Sequence, residues 1–201
     1  MEGTFFITLD YLKQLGACRE GQREFQRVFP DGGEYQAILD RCADEGRVDF
    51  GSWLLNHVGA TNDVRIYEEK IDAPNRGIIF AGDIKLKAGA NVKFLLSGRG
   101  IEAGESIEAG RGIKAGCGIE AGDGIKAGCG IKAGWGIEAG WGIKAGDSIE
   151  AGKDFCIFAG IKVMKSRWKF DAVVTAKSKP DNLVSGYWKP MEDSSEEETK
   201  L

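Results

Sequence analysis

Two tryptophans at equivalent positions of a short repeat are the strongest candidates for binding in this sequence. Trp135 and Trp141 each take the fifth place of the phrase I-(E/K)-A-G-x-(G/S), where other copies carry residues such as Glu105 and Asp123. Exposed aromatic side chains on a rigid support are frequent hot spots of protein interfaces, each contributing about 2 kcal/mol or more. We therefore expect an aromatic strip that binds a macromolecule, unless N-terminal helices or a C-terminal hairpin cover both rings.

A basic segment near the C-terminus is the second candidate. Its cations alternate with aromatic residues, and the predicted contacts are Lys162, Lys165, Arg167, Trp168 and Lys169, followed by Phe170. Cations beside aromatic rings suit contacts with phosphates and bases, so this segment is a candidate nucleic-acid surface. An amphipathic edge strand shows the same alternation, and that alternative stays open.

Catalytic and metal-binding patterns are poorly represented. The chain has a single histidine, His57, and its five cysteines are scattered without a CxxC pair, so we expect no metal site and free thiols. The Gly-x-Gly strings belong to the repeat and are not a phosphate-binding motif. Cys117 and Cys129 lie near lysines, but the repeat holds no histidine that would serve as a base. We expect no enzymatic activity and no cofactor.

The element that positions the tryptophans is the repeat itself, which runs nine times from Ile101 to Asp154. In an extended chain the Ile and the Ala of each phrase lie on one side and the charged residue between them on the other. A helix would contain several glycines, each costing about 1 kcal/mol. The pattern therefore predicts a mainly β fold, a parallel β-solenoid of short strands and glycine corners.

The number of sides of the solenoid follows from how many phrases complete one coil. Three phrases give a three-sided coil, and two give a flat, two-sided one. A two-sided coil would stack Cys117 directly on Cys129, whereas a three-sided coil places them on different corners. Three sides would also align Glu102, Glu120 and Glu138 in one unfavourable column. We favour three sides, because that architecture is the commoner one for six-residue repeats.

The remaining chain predicts flanking elements. Apolar spacing indicates four helices within residues 1–60, over 9–15, up to Pro30, around 35–42 and around 50–58. The predicted organisation is a helical domain (1–60), a linker with a strand (61–77), the solenoid (78–164), a hairpin that caps it (165–190) and a disordered acidic tail (191–201). We expect both solenoid ends to be capped. No transmembrane segment or secretory leader is apparent, so we expect a soluble protein in the cytoplasm of a bacterial host.

Three resemblances suggest a biological setting. The hexads resemble those of left-handed β-helix acyltransferases, but those enzymes carry a small residue at the fifth position, where this chain has Trp135 and Trp141. The phrases are also similar to those of bactofilin-type polymer-forming β-helices. The front of the chain, with Leu12–Gly21, Phe29–Gly32 and Trp53–Leu55, resembles a helical module of phage and prophage accessory proteins. That resemblance implies a role against host systems such as CRISPR-Cas.

The leading hypothesis is a non-enzymatic interaction protein, a phage-encoded inhibitor that binds a protein complex of the bacterial host. The first alternative is a structural protein that assembles into homo-oligomers or filaments. The second is an acyltransferase or small-ligand binder.

Overall fold

The computed structural model describes residues 5–191, so the predicted acidic tail lies outside the described residues except for Met191. The N-terminal part contains β1 (Phe6–Ile7), α1 (Leu9–Gln14), α2 (Arg19–Val28), β2 (Gly33–Glu34), α3 (Tyr35–Asp44) and α4 (Val48–His57). The repeat region contains β3 (Val64–Tyr67), β4 (Ile71–Phe80), β5 (Asp83–Leu86), β6 (Ala90–Ser97), β7 (Ile101–Ala103), β8 (Ile107–Ala109), β9 (Ile113–Ala115), β10 (Ile119–Ala121), β11 (Ile125–Ala127), β12 (Ile131–Ala133), β13 (Ile137–Ala139), β14 (Ile143–Ala145) and β15 (Ile149–Glu150). The C-terminal part contains β16 (Ile157–Ala159), a 3-10 turn (Lys165–Arg167), α5 (Trp168–Asp171), β17 (Val173–Thr175), β18 (Leu183–Ser185) and β19 (Tyr187–Trp188).

The four predicted N-terminal helices are confirmed as α1 to α4. The hydroxyl of Thr8 accepts a hydrogen bond from the Tyr11 amide and so caps α1. The chain leaves α1 through Gly16, whose φ of +79° lies in the left-handed region that glycine adopts without strain. Apolar side chains of all four helices share one buried core, in which Leu39 is completely buried.

The solenoid is three-sided, as predicted. Ile101 pairs with Ile119 and Ile119 with Ile137. Each phrase therefore stacks in parallel on the phrase three positions earlier in the sequence. We call the three sides faces 1, 2 and 3. Face 1 is a seven-stranded sheet in the order β3, β5, β7, β10, β13, β16 and β18. Face 2 contains β8, β11, β14, β17 and β19, and face 3 contains β9, β12 and β15. The long strand β6 pairs with β8 on face 2 and with β9 on face 3, and β4 pairs with β6 along both faces.

The interior of the solenoid consists of identical layers. The Ile and Ala of the phrases are buried, as at Ile119 and Ala121, except for the partly buried Ala151 of the last phrase, while the charged residue between them faces outward. Stacking identical side chains removes apolar surface from water on all three faces. Each Å² of apolar surface buried stabilises the fold by about 25 cal/mol.

The glycine at position four of the phrase is required by close packing between coils in every phrase except that of Gly110, where a Cβ would lie 3.7 Å from the nearest atom. A Cβ built on Gly122 would lie 2.0 Å from the carbonyl oxygen of Gly104, and one on Gly140 would lie 1.9 Å from that of Gly122. The sixth position is looser in the regular coils, because a Cβ on Gly124 would be 3.3 Å from the nearest atom, whereas Gly142 lies close to β17, with 2.6 Å to the Val173 carbonyl oxygen. This difference explains why serine replaces glycine at Ser106 and Ser148 and not at position four.

The helical domain packs on the first coils at face 3. Phe94, Ile79 and Leu96 point out of the solenoid into the core formed by the helices. The Gln36 amide nitrogen donates to the Ile79 carbonyl at 2.9 Å, and its side-chain oxygen accepts from the Ala81 amide at 3.0 Å. Gln36 therefore satisfies backbone groups at the end of the outermost strand of this face, so the helical domain covers that edge.

Several predicted boundaries were wrong. The solenoid begins at Val64 and not at residue 78, because β3 pairs with β5 and β4 with β6. The predicted C-terminal hairpin does not form. Instead β17 pairs with β14, β18 with β16 and β19 with β17, all in parallel, so residues 173–188 continue the coils on faces 1 and 2. Parallel pairing satisfies the exposed edge of the last regular coil, which a separate hairpin would leave unpaired.

Candidate partner-binding surface

The two predicted tryptophans lie at the two edges of face 1. We call the corner between faces 1 and 2 corner A, that between faces 2 and 3 corner B, and that between faces 3 and 1 corner C. Trp141 is on corner A, stacked above Asp123, and Trp135 is on corner C, stacked above Cys117. The rings are 46% and 53% exposed, so neither helices nor C-terminal strands cover them. The single aromatic strip was a wrong expectation, because one phrase spans a whole side of the coil.

Trp135 has an aromatic partner that the repeat does not reveal. A strictly regular coil would place Phe155 opposite Ile137, but the residue that pairs with Ile137 is Ile157, and the two extra positions lengthen corner C. Phe155 lies in this lengthened corner and stacks on Trp135, with ring centroids 5.9 Å apart and planes at 15°. Phe155 is itself 43% exposed, so the two rings form a continuous apolar surface.

A groove of about 680 Å³ runs along face 1 beside this aromatic pair. Its floor carries the outward residues of successive strands, with Glu102 paired to Glu120 and Glu120 to Glu138 across the sheet. Neighbouring strands are about 4.8 Å apart, so three carboxylates form a column at that spacing. The other charged groups that line the groove are Asp83, Lys85, Arg99 and Asp154.

Charges in the groove are only partly compensated. Lys85 lies 3.1 Å from Glu102, and Arg99 lies 3.0 Å from Asp83. Within residues 5–191, no lysine or arginine forms an ion pair with Glu120, Glu138 or Asp154. Like charges directly opposite each other destabilise a sheet. The stacked glutamates therefore repel one another on the free surface of the groove.

The other two faces distribute their charges differently. On face 2, Lys126 lies 3.6 Å from Glu108. On face 3, Lys132 lies 2.8 Å from Glu150, and this hydrogen bond is the main reason why the pKa of Glu150 is lowered. Lys114 donates to Ser52 of α4 at 2.7 Å, and burial under the helix lowers the pKa of its ammonium group. Each of these faces combines both signs of charge.

The predicted basic segment forms a loop thrown out from corner A. If the repeat continued regularly after Ile157, residue 163 would pair with Ile143 on face 2. The residue that pairs with Ile143 is instead Val174, so the chain has an insertion between these two faces. The intervening chain contains the 3-10 turn and α5, so the alternative of an edge strand was wrong. We call residues 160–172 the basic loop.

The structure brings the basic loop next to Trp141. The Gly160 amide donates to the Trp141 carbonyl at 2.8 Å, and the Lys162 amide donates to Gly140 at 3.1 Å. The Trp168 indole donates to the Val163 carbonyl at 3.2 Å, which fixes the ring within the loop. The predicted site residues therefore form two surfaces, Trp135 in the groove and Trp141 with the basic loop.

Charges and apolar groups of the basic loop are mostly exposed. Arg167 is paired with Asp171, and this contact lowers the pKa of the Asp171 carboxyl. The Lys169 ammonium lies 6.0 Å from the centre of the Tyr187 ring. Met164 and Phe170 are 72% and 75% exposed, so the loop presents apolar side chains among its lysines.

The groups that would carry catalysis are not gathered in the groove. His57 lies on α4, where its Nδ1 is 2.8 Å from the Trp53 carbonyl oxygen and its ring stacks on the Trp53 ring. Cys117 is on corner C and Cys129 on corner B, as the three-sided coil predicts, and Cys156 joins Cys117 in the groove. Residues 5–191 contain no group of acidic, cysteine and histidine side chains able to hold a metal ion.

Comparison with known proteins identifies only the front of the chain. Residues 1–61 match the family model described as the YdhT N-terminal domain, which coincides with the helical domain and excludes the solenoid. No curated protein and no solved structure matches the chain. The predicted resemblance of the front module to a known domain is thus supported, whereas its anti-CRISPR setting stays a prediction. Within residues 5–191, no helix is long and apolar enough to cross a membrane.

Sequence reasoning missed Phe155 and the groove. The glutamate column was visible once a coil of three phrases was assumed, but the stacking of Phe155 on Trp135 depends on two extra positions that break this period. The available signal was the shift from the hexad Ile149–Asp154 to an irregular Phe-Cys pair before Ile157.

Proposed function

We propose that this chain is a non-enzymatic binding protein that presents the groove of face 1 and the adjacent basic loop to a macromolecular partner. The observation that carries this proposal is the exposed Trp135–Phe155 stack at the wall of the groove. A monomeric surface gains nothing from leaving two large rings in water, whereas a partner that buries them gains about 25 cal/mol per Å².

The support beneath this surface is suited to binding. Trp135 is attached to strands whose neighbours on both sides are hydrogen-bonded in register, including the bond from the Trp135 amide to the Cys117 carbonyl at 3.2 Å. A surface that is already ordered loses little conformational entropy when a partner binds, so more of the contact energy appears as affinity.

The absence of enzymatic activity is part of the proposal. Its support is that His57 is held by Trp53 on α4, which packs at face 3 while the groove lies on face 1. The thiols of Cys117 and Cys156 therefore have no imidazole beside them in the groove.

The setting that we propose is a phage-encoded inhibitor acting on a nucleic-acid-directed defence complex of a bacterial host. Its support is the front module, which resembles phage accessory proteins over residues 12–55. Lys162, Lys165 and Lys169 of the basic loop would add contacts with nucleic acid held by that complex, since cations beside exposed aromatic rings suit phosphates and bases.

Affinity capture tests the binding proposal. The full chain is immobilised and exposed to bacterial lysate, and bound proteins are quantified against the immobilised chain. We expect a partner in near-equimolar amount that is lost, by about tenfold or more, with the double variant Trp135→Ala/Trp141→Ala.

The matched control is Cys129→Ala, which changes the same position of the phrase on corner B. Capture by this variant should equal that of the unmodified chain. Recovery of no equimolar partner, or a partner retained by the double tryptophan variant, would overturn the proposal.

A further inference from the structure

The uncompensated carboxylates and the aromatic wall of the groove define one kind of occupant. Glu120 and Glu138 point outward from the same face and are exposed, and Asp154 lies at the lengthened corner with Phe155. Seven charged groups line the groove, five acidic and two basic, and both basic groups already contact carboxylates. An occupant that completes this surface must bring positive charge.

We propose that the groove on face 1 binds an extended, arginine- or lysine-rich segment of a protein partner. This inference rests on the proposed binding function and names the chemistry of the partner. Cationic side chains would pair with Glu120 and Glu138, and one guanidinium or ammonium group would lie over the face of Trp135 or Phe155. Both contacts are favourable in a partly desolvated groove.

The spacing of the groups fits a segment that runs along the column of glutamates. From Glu102 to Glu138 the column spans two strand intervals, about 9.6 Å. Side chains on one side of an extended segment recur about every 6.8 Å, and the long stems of Arg and Lys cover the difference. Arginine fits better than lysine, because its planar group both pairs with a carboxylate in a fork and stacks on an aromatic ring.

Two other classes of ligand fit this groove poorly. Nucleic acid would place phosphates against the glutamate column, which repels them. A single metal ion requires ligands that converge on one point, whereas these carboxylates are arranged in a line, and the described part of the chain holds no group suited to a metal.

A defined peptide tests the inference directly. A fluorescently labelled peptide of four arginines alternating with glycines is titrated with the full chain, and its anisotropy is measured in about 50 mM and about 500 mM salt. We expect saturable binding at low salt that weakens at high salt, and no binding of the same peptide with glutamates in place of arginines.

Two pairs of variants locate the binding on face 1. Glu120→Gln/Glu138→Gln keeps the shape of the groove and should weaken binding about tenfold or more. The matched control Glu108→Gln/Glu150→Gln removes the same charge from faces 2 and 3 and should change affinity by less than about twofold. Trp135→Ala should weaken binding about threefold to tenfold, while Cys129→Ala, at the same position of the phrase on corner B, should leave it unchanged.

The outcomes separate this inference from the binding function on which it rests. No binding of the arginine peptide, or equal losses in the two glutamate pairs, overturns the basic-segment inference. If Glu120→Gln/Glu138→Gln still captures the equimolar lysate partner while Trp135→Ala/Trp141→Ala does not, the binding function stands and only the inference fails. If neither variant changes capture, the binding function itself fails.

Discussion

Face 1 and the other two faces of the solenoid share one interior and differ outside. On every face the buried residues are the Ile and Ala of the phrase, and position four is glycine. Faces 2 and 3 each have one lysine next to a glutamate of a neighbouring coil, at Lys126–Glu108 and Lys132–Glu150. Each also has one pair of stacked lysines, at Lys126–Lys144 and Lys114–Lys132. Face 1 stacks three glutamates instead.

This difference separates what the fold requires from what it permits. Since the interior is the same under all faces, folding does not explain the like charges on face 1. The helical domain covers part of face 3 through Gln36, Ser52 and their neighbours, while the groove of face 1 stays uncovered. The face with the least favourable electrostatics is thus the one with the open groove and the aromatic wall.

The largest expected effect tests the shared interior. Gly122→Ala places a Cβ 2.0 Å from a backbone oxygen of the coil beneath, so the coils must separate. We expect a loss of about 3 kcal/mol or more in the free energy of unfolding, measured by denaturant titration followed by circular dichroism.

The matched control for this change is Gly124→Ser. It copies the serine that Ser106 already provides on the same corner, one coil away, and should cost less than about 1 kcal/mol. Equal losses in both variants would show that close packing at position four is not what selects glycine there.

A smaller effect is expected where the helical domain meets the solenoid. Gln36→Ala leaves the Ala81 amide and the Ile79 carbonyl without their partners, and Ala81 is buried. We expect a loss of about 1–3 kcal/mol and faster hydrogen exchange at the Ala81 amide. Gln26→Ala, an exposed glutamine on α2, should change neither quantity, and unchanged exchange in Gln36→Ala would contradict the capping role.

The smallest expected effect distinguishes the faces by charge reversal. Glu120→Lys replaces two repulsive neighbours by two attractive ones and should stabilise the chain by about 0.5–1 kcal/mol at low salt, less at high salt. Lys126 lies between Glu108 and Lys144. Lys126→Glu therefore replaces a repulsion from Lys144 by one from Glu108, and should leave the stability nearly unchanged. Thermal unfolding of both variants measures the contrast, and destabilisation by Glu120→Lys would refute it.

The regular parts of the molecule were predictable because their signals are local or strictly periodic. Residues 35–42 show helical spacing, and α3 covers them. The phrase I-(E/K)-A-G-x-(G/S) sets the strands at Ile and Ala and gives the three-sided coil once three phrases per coil are chosen over two. Glycine at the corners was also predicted, but for its turn; the actual reason is the close contact between backbones, as at Gly122.

The irregular parts were not predictable because their partners are distant and their spacing is broken. Val173–Thr175 and Leu183–Ser185 flank turn residues and so resemble a hairpin, but each pairs in parallel with a strand of an earlier coil. The contact between Phe155 and Trp135 and the position of the basic loop depend on insertions of irregular length. Of the candidate site, sequence located Trp135, Trp141 and the basic segment but not which of them lie together.

Because each coil consists of three phrases, the groove changes length only in steps of one whole coil. Each further coil of the same composition would extend the floor by one carboxylate and about 4.8 Å, while leaving every interior contact of the existing coils unchanged. Duplication or loss of one coil is thus a single genetic event that changes how many cationic side chains a segment must carry to fill the groove. The number of coils therefore sets the number of glutamates in the groove.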